Sequence, residues 1–174
     1  MTYKDKIKAA MTSLAADDRT RFVGYGLTHG RAAGTLAAAK EAQIVETPVA
    51  ENLMTGVAIG LSLEGLLPVV YFERCDFILN AADAIVNHLA AASEISSEEF
   101  SPAVILRVVV GNRMKPLFTG RTHTQDFSQA LAKLVDFPVV RLTEDRDIVS
   151  VYDAARDAQL AGVSTIVVEY KDFL

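Results

Sequence analysis

The sequence predicts an α/β fold in which helices cover both faces of an open, mostly parallel β-sheet. Segments with strand patterns alternate with helix-like segments along the chain, an order typical of parallel strands joined by helical crossovers. Residues 103–110, AVILRVVV, form a run dominated by apolar side chains, as expected for a strand covered on both faces. The length of 174 residues, set against roughly 150 per domain, indicates a single domain.

Composition excludes several classes of protein. Apolar residues make up 51% and charged residues 22%, which is typical of a globular domain and excludes a disordered chain. The net charge of −5 excludes the basic surface that general nucleic-acid binding requires. No apolar run reaches the roughly 18 residues of a membrane span, and the charged start does not read as a secretory signal. We therefore expect a soluble, cytoplasmic protein.

The first elements are predicted from spacing and from chain-breaking residues. Ile7, Met11 and Leu14 recur at helical spacing, so an amphipathic helix opens the chain. A short apolar strand at 21–25 and an alanine-rich helix at 32–42 follow.

The middle of the chain predicts two more strand–helix units. A strand at 43–46 ends before Pro48, which cannot continue a central ladder. Residues 51–66 are apolar on most sides and predict a buried helix, whose Gly56 and Gly60 suggest close approach of another backbone. That backbone belongs either to this chain or to a partner. A third strand is expected at 68–72.

A further helix and the strand at 103–110 complete the centre of the predicted sheet. The helix spans 76–93, and its inner face would carry Ile78, Ala82, Ile85 and Leu89. A polar loop at 111–125 follows the strand.

The last part of the chain predicts a helix at 126–134 and a strand at 138–142. Thr143 is expected to cap the next helix, which Gly162 ends, and 164–170 form the last strand. Acidic residues that the helix dipole favours follow the cap at Glu144, Asp145 and Asp147.

One strand end could bind a dinucleotide. Ligands of open parallel sheets bind at the carboxyl ends of the strands. Gly24, Gly26 and Gly30 form a loose glycine-rich turn after the first strand, and Glu46 lies where a ribose-binding acid is expected. These residues suit a nicotinamide-dependent oxidoreductase; a tight turn with a solvated glutamate is the alternative.

Two other strand ends carry groups suited to acid–base chemistry. Glu51 opens an apolar helix, either as an acid favoured by the helix dipole or as a buried carboxylate that hydrogen-bonds a protonatable ligand nitrogen. His123 lies between Thr122 and Thr124, either as an acid, base or anion partner or as a solvated loop residue.

Several motifs occur in one order along the chain. They are VETPVAEN at 45–52, GVAIG at 56–60, GLLPVV at 65–70, DF at 76–77 and DAIVN at 83–87. This pattern covers 45–90 and resumes at 102–107 and at 120–125, which is similar to a Gly-x-x-His-Ser-Gln loop. It resembles the pyrimidine-binding domain of transketolase-like thiamine diphosphate enzymes, in particular the beta subunit of the decarboxylating component of 2-oxo acid dehydrogenase complexes. The resemblance implies the thiamine diphosphate-binding fold.

The resemblance implies roles for individual residues. Glu51 would hydrogen-bond the aminopyrimidine ring of thiamine diphosphate, and Phe77 would pack against that ring. His123 would lie near the substrate and the reacting thiazolium carbon, so that Glu51 and His123 are the expected catalytic residues. The other residues expected at the cofactor are Val49, Glu73 and Asn80. The implied reaction cleaves or forms a carbon–carbon bond next to a carbonyl, by 2-oxo acid decarboxylation or ketol transfer.

Departures from the family pattern point to a partner. The chain carries Glu73 where the family usually has methionine, and it lacks the Gly-Asp-Gly and downstream Asn that hold magnesium and diphosphate in the family. We therefore expect residues 1–174 to be one pyrimidine-binding domain, with no diphosphate-binding domain and no C-terminal transketolase domain. A separate diphosphate-binding subunit would hold the magnesium ion, with two copies of each chain in a hetero-oligomer.

Two further expectations follow from the residues themselves. Cys75 is the one cysteine, which excludes an internal disulfide and a cysteine zinc cluster, and we expect it to be a small buried hydrophobe. His29 and His88 have no partners at ligand spacing, so no metal site is expected in this chain. A non-catalytic interaction subunit that kept the fold is the remaining alternative to the enzyme.

Overall fold

A parallel six-stranded β-sheet lies at the centre of the molecule, as predicted. The computed structural model describes residues 1–116, 118, 120–143 and 146–173. The strands are β1 Thr20–Gly24, β2 Ile44–Glu46, β3 Leu67–Phe72, β4 Ile105–Val110, β5 Val139–Arg141 and β6 Thr165–Tyr170. Their order is β2-β1-β3-β4-β6-β5, and each neighbouring pair is parallel. The carboxyl ends of all these strands therefore lie at one edge of the sheet.

Helical segments connect the strands. The α-helices in the described part of the chain are α1 Tyr3–Ala15, α2 Leu27–Gly30, α3 Glu51–Leu63, α4 Ala92–Ile95, α5 Ser128–Leu134 and α6 Ile148–Leu160. Short 3₁₀ segments cover Glu41–Gln43, Cys75–Ala81, Gly120–His123 and Lys171–Phe173, and Ala84–Ala90 is π-helical. Within the described ranges, no helix is long and apolar enough to cross a membrane.

Hydrophobic side chains fill the space on both faces of the sheet. On one face, Met11 of α1 and Tyr152 of α6 belong to a core cluster with β3 and β4 side chains. On the other face, Met54 of α3 and Ile78 pack in a second cluster. Every residue of β3, β4 and β6 is buried, which confirms that these central strands are covered on both faces.

The predicted alanine-rich helix at 32–42 is wrong. The helix before it, α2, ends at Gly30, and residues 31–33 adopt left-handed backbone conformations with φ of 47°, 48° and 56°. The segment winds as a series of turns over the sheet, where the Thr35 hydroxyl accepts a hydrogen bond of 3.0 Å from Arg107 Nη1. Alanine is a better helix former than most residues by only a few tenths of a kcal/mol per residue, and tertiary contacts such as the one with buried Arg107 can override that preference.

The predicted helix at 76–93 is real but irregular. It consists of the 3₁₀ segment Cys75–Ala81, the π-helical segment and then α4. Its expected inner face is confirmed for Ile78, Ile85 and Leu89, whereas Ala82 is half-buried. A 3₁₀ run of seven residues is longer than is usual. Its three-residue turn brings residues three apart onto one face, which matters for the candidate site.

Asp147, rather than Thr143, caps α6. The Asp147 carboxylate accepts hydrogen bonds from the Ser150 backbone N–H at 3.3 Å and from its hydroxyl at 2.8 Å. Thr143 lies before the start of the helix, and its carbonyl accepts a hydrogen bond from the Arg146 N–H. Glu144 and Asp145 lie outside the described residues. The predicted stop is confirmed, since Gly162 follows α6 with φ of 80°.

Candidate functional site

Glu51 is a buried carboxylate at the start of α3. Its side chain lies in the first helical turn, yet the residue is only 5% exposed. Asn80 Nδ2 donates a hydrogen bond of 3.3 Å to Glu51 Oε2. A glutamate held there only by the helix dipole would remain in water. The structure therefore favours the buried-carboxylate interpretation of Glu51.

The 3₁₀ segment Cys75–Ala81 aligns Phe77 with Asn80. Residues three apart in a 3₁₀ helix lie on the same face, about 6 Å apart along the axis. Because Asn80 contacts Glu51, the Phe77 ring lies one turn away on the side of the segment that faces this carboxylate. Asn80 was expected at this pocket on sequence position alone, and it is in direct contact with Glu51.

His123 packs against Phe77. The two ring centroids are 5.2 Å apart, and the ring planes are nearly perpendicular at 87°. Thr122 Oγ1 lies 3.2 Å from His123 Nδ1. Glu51, Asn80, Phe77 and His123 thus form a connected series at the carboxyl edge of the sheet, although they come from three separate segments of the chain.

Side chains to which the sequence analysis gave no role at the site hold the His123 loop. Gln125 donates to Asp76 Oδ1 through its side-chain amide at 2.9 Å and through its backbone N–H at 3.4 Å. The Phe127 N–H donates to Cys75 Sγ at 3.4 Å. Cys75 is fully buried, as predicted. The loop is therefore attached to the same 3₁₀ segment that carries Phe77.

A cavity of about 270 Å³ lies at the same edge of the sheet, beside Tyr25 and Glu73. Tyr71 and Lys171 also line it. Glu73 Oε1 accepts a hydrogen bond of 3.1 Å from buried Arg74, so its charge is partly compensated. Burial, together with the nearby charges of Glu73 and Glu51, raises the pKa of Tyr25 to about 12. Its hydroxyl is therefore a hydrogen-bond donor at neutral pH.

Apolar side chains of this chain enclose Glu51 only in part. Val49 is 71% exposed, so it does not enclose Glu51. Ile78 is buried in the core below. Leu79, next to Asn80, is half-exposed. Two apolar side chains close to Glu51 and Asn80 in the sequence, Val49 and Leu79, are thus open to contact by a second molecule.

One side of α3 is exposed in this chain, although the sequence predicts a buried helix. We define the exposed α3 face as Leu53, Gly56, Gly60 and Leu63. A Cβ atom added at Gly56 or Gly60 would meet no atom within 4 Å. The two glycines therefore do not serve close packing within this chain.

The glycine-rich turn after β1 is occupied by a side chain of the protein itself. The Glu46 carboxylate accepts hydrogen bonds from the Gly26 N–H and, at 2.7 Å, from the Thr28 N–H. These N–H groups are the donors that a dinucleotide phosphate would need. The geometry therefore argues against the nicotinamide interpretation.

Two cavity residues that the sequence analysis did not name could have been found from their position at the carboxyl ends of strands. Tyr25 directly follows β1 and Lys171 directly follows β6, so both lie where ligands of parallel sheets bind. Asp76 and Gln125 occur in the motifs that carry the resemblance, but the hydrogen bonds between them depend on how the loop folds back and could not be predicted. In the described part of the chain, no three His, Cys, Asp or Glu residues are grouped to hold a metal ion.

Comparison with known proteins shows which family this chain is similar to. The family model described as "Transketolase, pyrimidine binding domain" matches residues 1–100. The beta subunit of the pyruvate dehydrogenase E1 component from Saccharomyces cerevisiae is 31% identical over 74% of this chain and 36% of that protein. The 2-oxoisovalerate dehydrogenase subunit beta from Bacillus subtilis is 30% identical over 64% of this chain and 36% of that protein. The chain thus spans about a third of the length of these relatives.

Solved structures share the fold. A split-gene transketolase, described as an inactive beta4 tetramer, superimposes with a TM-score of 0.70 at 15% identity over 96% of this chain and 50% of that chain. The transketolase from Campylobacter jejuni superimposes with a TM-score of 0.73 at 15% identity over 96% of this chain and 25% of that one.

Proposed function

This chain belongs to the family of transketolase pyrimidine-binding domains, and from that premise we propose that it is the pyrimidine-binding subunit of a split thiamine diphosphate-dependent enzyme. A separate subunit would bind the diphosphate. Pairing of β6 with both β4 and β5 joins the last third of the described chain to the same sheet, which supports one pyrimidine-binding domain over the sequence.

The observation that most strongly supports this proposal is the buried Glu51 carboxylate. One of its oxygens accepts from Asn80, and within the described ranges the other has no hydrogen-bond donor. A buried carboxylate with one oxygen left for a ligand fits the aminopyrimidine ring, which is flat and carries nitrogen donors at one edge. The residues present therefore fit the cofactor that the family implies.

Each residue of the connected series has a task in this proposal. Glu51 would accept a hydrogen bond from the ring nitrogen, and Asn80 would hold the carboxylate in place. Phe77 would pack against the ring. His123 would exchange a proton with a substrate oxygen. When bound, the cofactor supplies an electron sink for the carbanion that forms beside the substrate carbonyl.

The partner would complete the site from the exposed α3 face. Val49 and Leu79 extend the apolar surface to Glu51, so a second subunit there would exclude water and strengthen the Glu51 hydrogen bond. We propose that this subunit binds the diphosphate and holds magnesium, with two copies of each chain in the assembly. The likeness to a split-gene transketolase supports such a division of the enzyme between chains.

The reaction class is cleavage or formation of a carbon–carbon bond next to a carbonyl. The beta subunits of pyruvate and 2-oxoisovalerate dehydrogenases support a 2-oxo acid as substrate. A ketose, with ketol transfer as the reaction, is the alternative. The cavity beside Tyr25, Glu73 and Lys171 would take the remainder of the substrate, and its two charged groups would select for polar substituents.

The proposal is tested by purifying this chain under native conditions from extracts of its own cells and identifying the proteins that come with it. We expect one stoichiometric partner that carries Gly-Asp-Gly and a downstream Asn, recovered in greater yield when thiamine diphosphate and magnesium are present. Recovery of the chain alone, with no dependence on the cofactor, would contradict the split enzyme. A partner without that motif would favour a non-catalytic interaction subunit.

A further inference from the structure

We infer that Gly111 is a positioning residue for His123. Its missing side chain allows the loop that carries His123 to dock on the end of β4, and this docking sets the place of the imidazole. The consequence for turnover rests on the function proposed above for His123. The docking contact itself is independent of that function.

The contact at Gly111 leaves no room for a side chain. Gly111 directly follows β4 and is buried. A Cβ atom added there would lie 1.9 Å from the His123 carbonyl oxygen and 3.1 Å from its carbonyl carbon. Gly111 is not among the glycines with a left-handed backbone. Space, rather than torsional freedom, is therefore what requires glycine here.

The strand side of this contact is held firmly. Val110 pairs with Tyr170 in the centre of the sheet, so the end of β4 cannot shift without breaking the ladder. On a second side, Arg74 Cδ would lie 3.6 Å from the added Cβ. The segment that would yield is the turn Gly120–His123, where Arg121 and Thr122 are exposed.

An added methyl group would therefore move His123. Real Cβ contacts do not fall below 3.0 Å, so the carbonyl at 1.9 Å must move by at least 1.1 Å. The imidazole is joined to that carbonyl by few bonds and would leave its edge-to-face contact with Phe77. A misplacement of about 1 Å in a catalytic group can lower the rate by about 10²-fold.

Nuclear magnetic resonance of the full chain measures the position directly. The sequence has three histidines, and His29 and His88 are exposed, so they provide internal references for the His123 ring signals. In Gly111→Ala we expect the His123 ring protons to lose the ring-current chemical shift that the Phe77 ring imposes on them. The control Gly60→Ala, at an exposed glycine with open space, should leave that shift unchanged.

A folded Gly111→Ala protein whose His123 signals stay at their wild-type positions would overturn the inference. Should the variant not fold, nuclear Overhauser contacts between the Phe77 and His123 rings are measured in the wild-type chain. Their presence supports the docked loop, and their absence overturns it.

A double-mutant cycle in the assembled enzyme separates this inference from the proposed function. We expect Gly111→Ala to lower turnover about 10²-fold in the wild type and to add no loss in a His123→Ala background. A further loss in that background would show that Gly111 acts elsewhere. If the His123 signals move and turnover is kept, the position is right and the catalytic role of His123 is wrong.

Discussion

At the scale of single residues, Glu51 is the group on which the proposed chemistry depends most. Burial places its carboxylate in a medium of lower dielectric than water, where a hydrogen bond to a ligand nitrogen is stronger. Asn80 restricts the side chain without occupying both oxygens. One Glu51 oxygen is therefore positioned to accept a hydrogen bond from a ligand, and the proposed chemistry depends on the negative charge of this carboxylate.

Glu51→Gln tests this in the assembled complex. The substitution preserves size but removes the charge, so we expect turnover to fall by at least about 10²-fold while the fold is kept. Glu64→Gln, an exposed glutamate just after the other end of α3, is the matched control and should leave turnover unchanged. A loss in Glu51→Gln of less than about threefold would remove Glu51 from the catalytic residues and favour a non-catalytic subunit.

The raised pKa of Cys75 predicts that its thiol reacts very slowly near neutral pH. Burial raises the pKa of its thiol to about 11, with the Phe127 N–H opposing this in part. At pH 8 only about 10⁻³ of the thiol is then the reactive thiolate. We expect Ellman's reagent to label the native protein very slowly at this pH and to label it at once after denaturation. Since Cys75 is the one cysteine, rapid labelling of the native chain would contradict its buried placement.

At the scale of elements, a buried ion pair ties β4 to β6. Arg107 Nε and Nη2 donate to the two Glu169 oxygens at 2.7 and 3.0 Å, and both side chains are under 5% exposed. The Tyr152 hydroxyl of α6 donates to Glu169 at 2.6 Å, and Thr35 accepts from Arg107. The cluster thus joins two strands, one helix and the turns at 31–39.

Glu169→Gln should strongly destabilise the fold. The substitution leaves the buried Arg107 guanidinium without a compensating charge, which costs about 3–5 kcal/mol. Denaturant unfolding monitored by circular dichroism measures this loss. Glu98→Gln, in an exposed turn, is the control and should change the free energy of unfolding by less than about 0.5 kcal/mol. Equal stability of the two variants would contradict the buried pair.

Asp126 stabilises the start of α5 in a pH-dependent way. Burial alone would raise the pKa of its carboxyl, but hydrogen bonds from Ser128 and Tyr170 and the charge of Arg141 outweigh it and hold the pKa below the usual range. A lowered pKa in the folded state contributes stability above the unfolded value of about 3.9, and this contribution is lost as the pH falls through the folded pKa. We therefore expect Asp126→Asn to lower Tm at pH 7 and the difference to vanish in acid. A difference that does not change with pH would contradict this.

At the scale of the whole molecule, the exposed α3 face and its neighbours form an apolar side on an acidic protein. The net charge is −5, yet Val49, Leu53, Leu63 and Leu79 are each at least 48% exposed. Glu51 lies at the border of this side. The site and the proposed partner surface are thus continuous, which explains how one partner could both cover α3 and enclose a cofactor.

Gly56→Ala and Gly60→Ala should have opposite effects on the chain and on the complex. Alanine is better than glycine inside a helix, so each substitution should stabilise the isolated chain by roughly 0.5–1 kcal/mol. The added methyl groups should hinder close approach of the partner and reduce its recovery. Ala130→Gln, exposed on α5, is the control for recovery. Full recovery of the partner by both glycine variants would exclude this face as the interface.

Local sequence patterns account for most elements and misjudge others. The strands at 103–110 and 164–170 were predictable because buried strands are dominated by apolar residues over their whole length. The prediction of a helix at 32–42 is wrong because alanine's advantage as a helix former is only a few tenths of a kcal/mol per residue, whereas Thr35 is held by Arg107, far away in the chain. The prediction that Thr143 caps α6 is wrong, because the helix begins four residues later than predicted and Asp147 accepts the hydrogen bond from the Ser150 N–H.

The sequence by itself determined the alternation of strands and helices, the parallel sheet, and the motifs around Glu51 and His123 that indicate the family. Periodicity and motif spacing act over a few neighbouring residues, so they can be read along the chain. Only the tertiary structure decided the strand order, the Asn80–Glu51 and Phe77–His123 contacts, the exposure of one side of α3 and the tight contact at Gly111. Each of these features depends on segments that are distant in sequence and come together when the sheet and its helices pack. Spacing along the chain does not show which distant segments will come into contact.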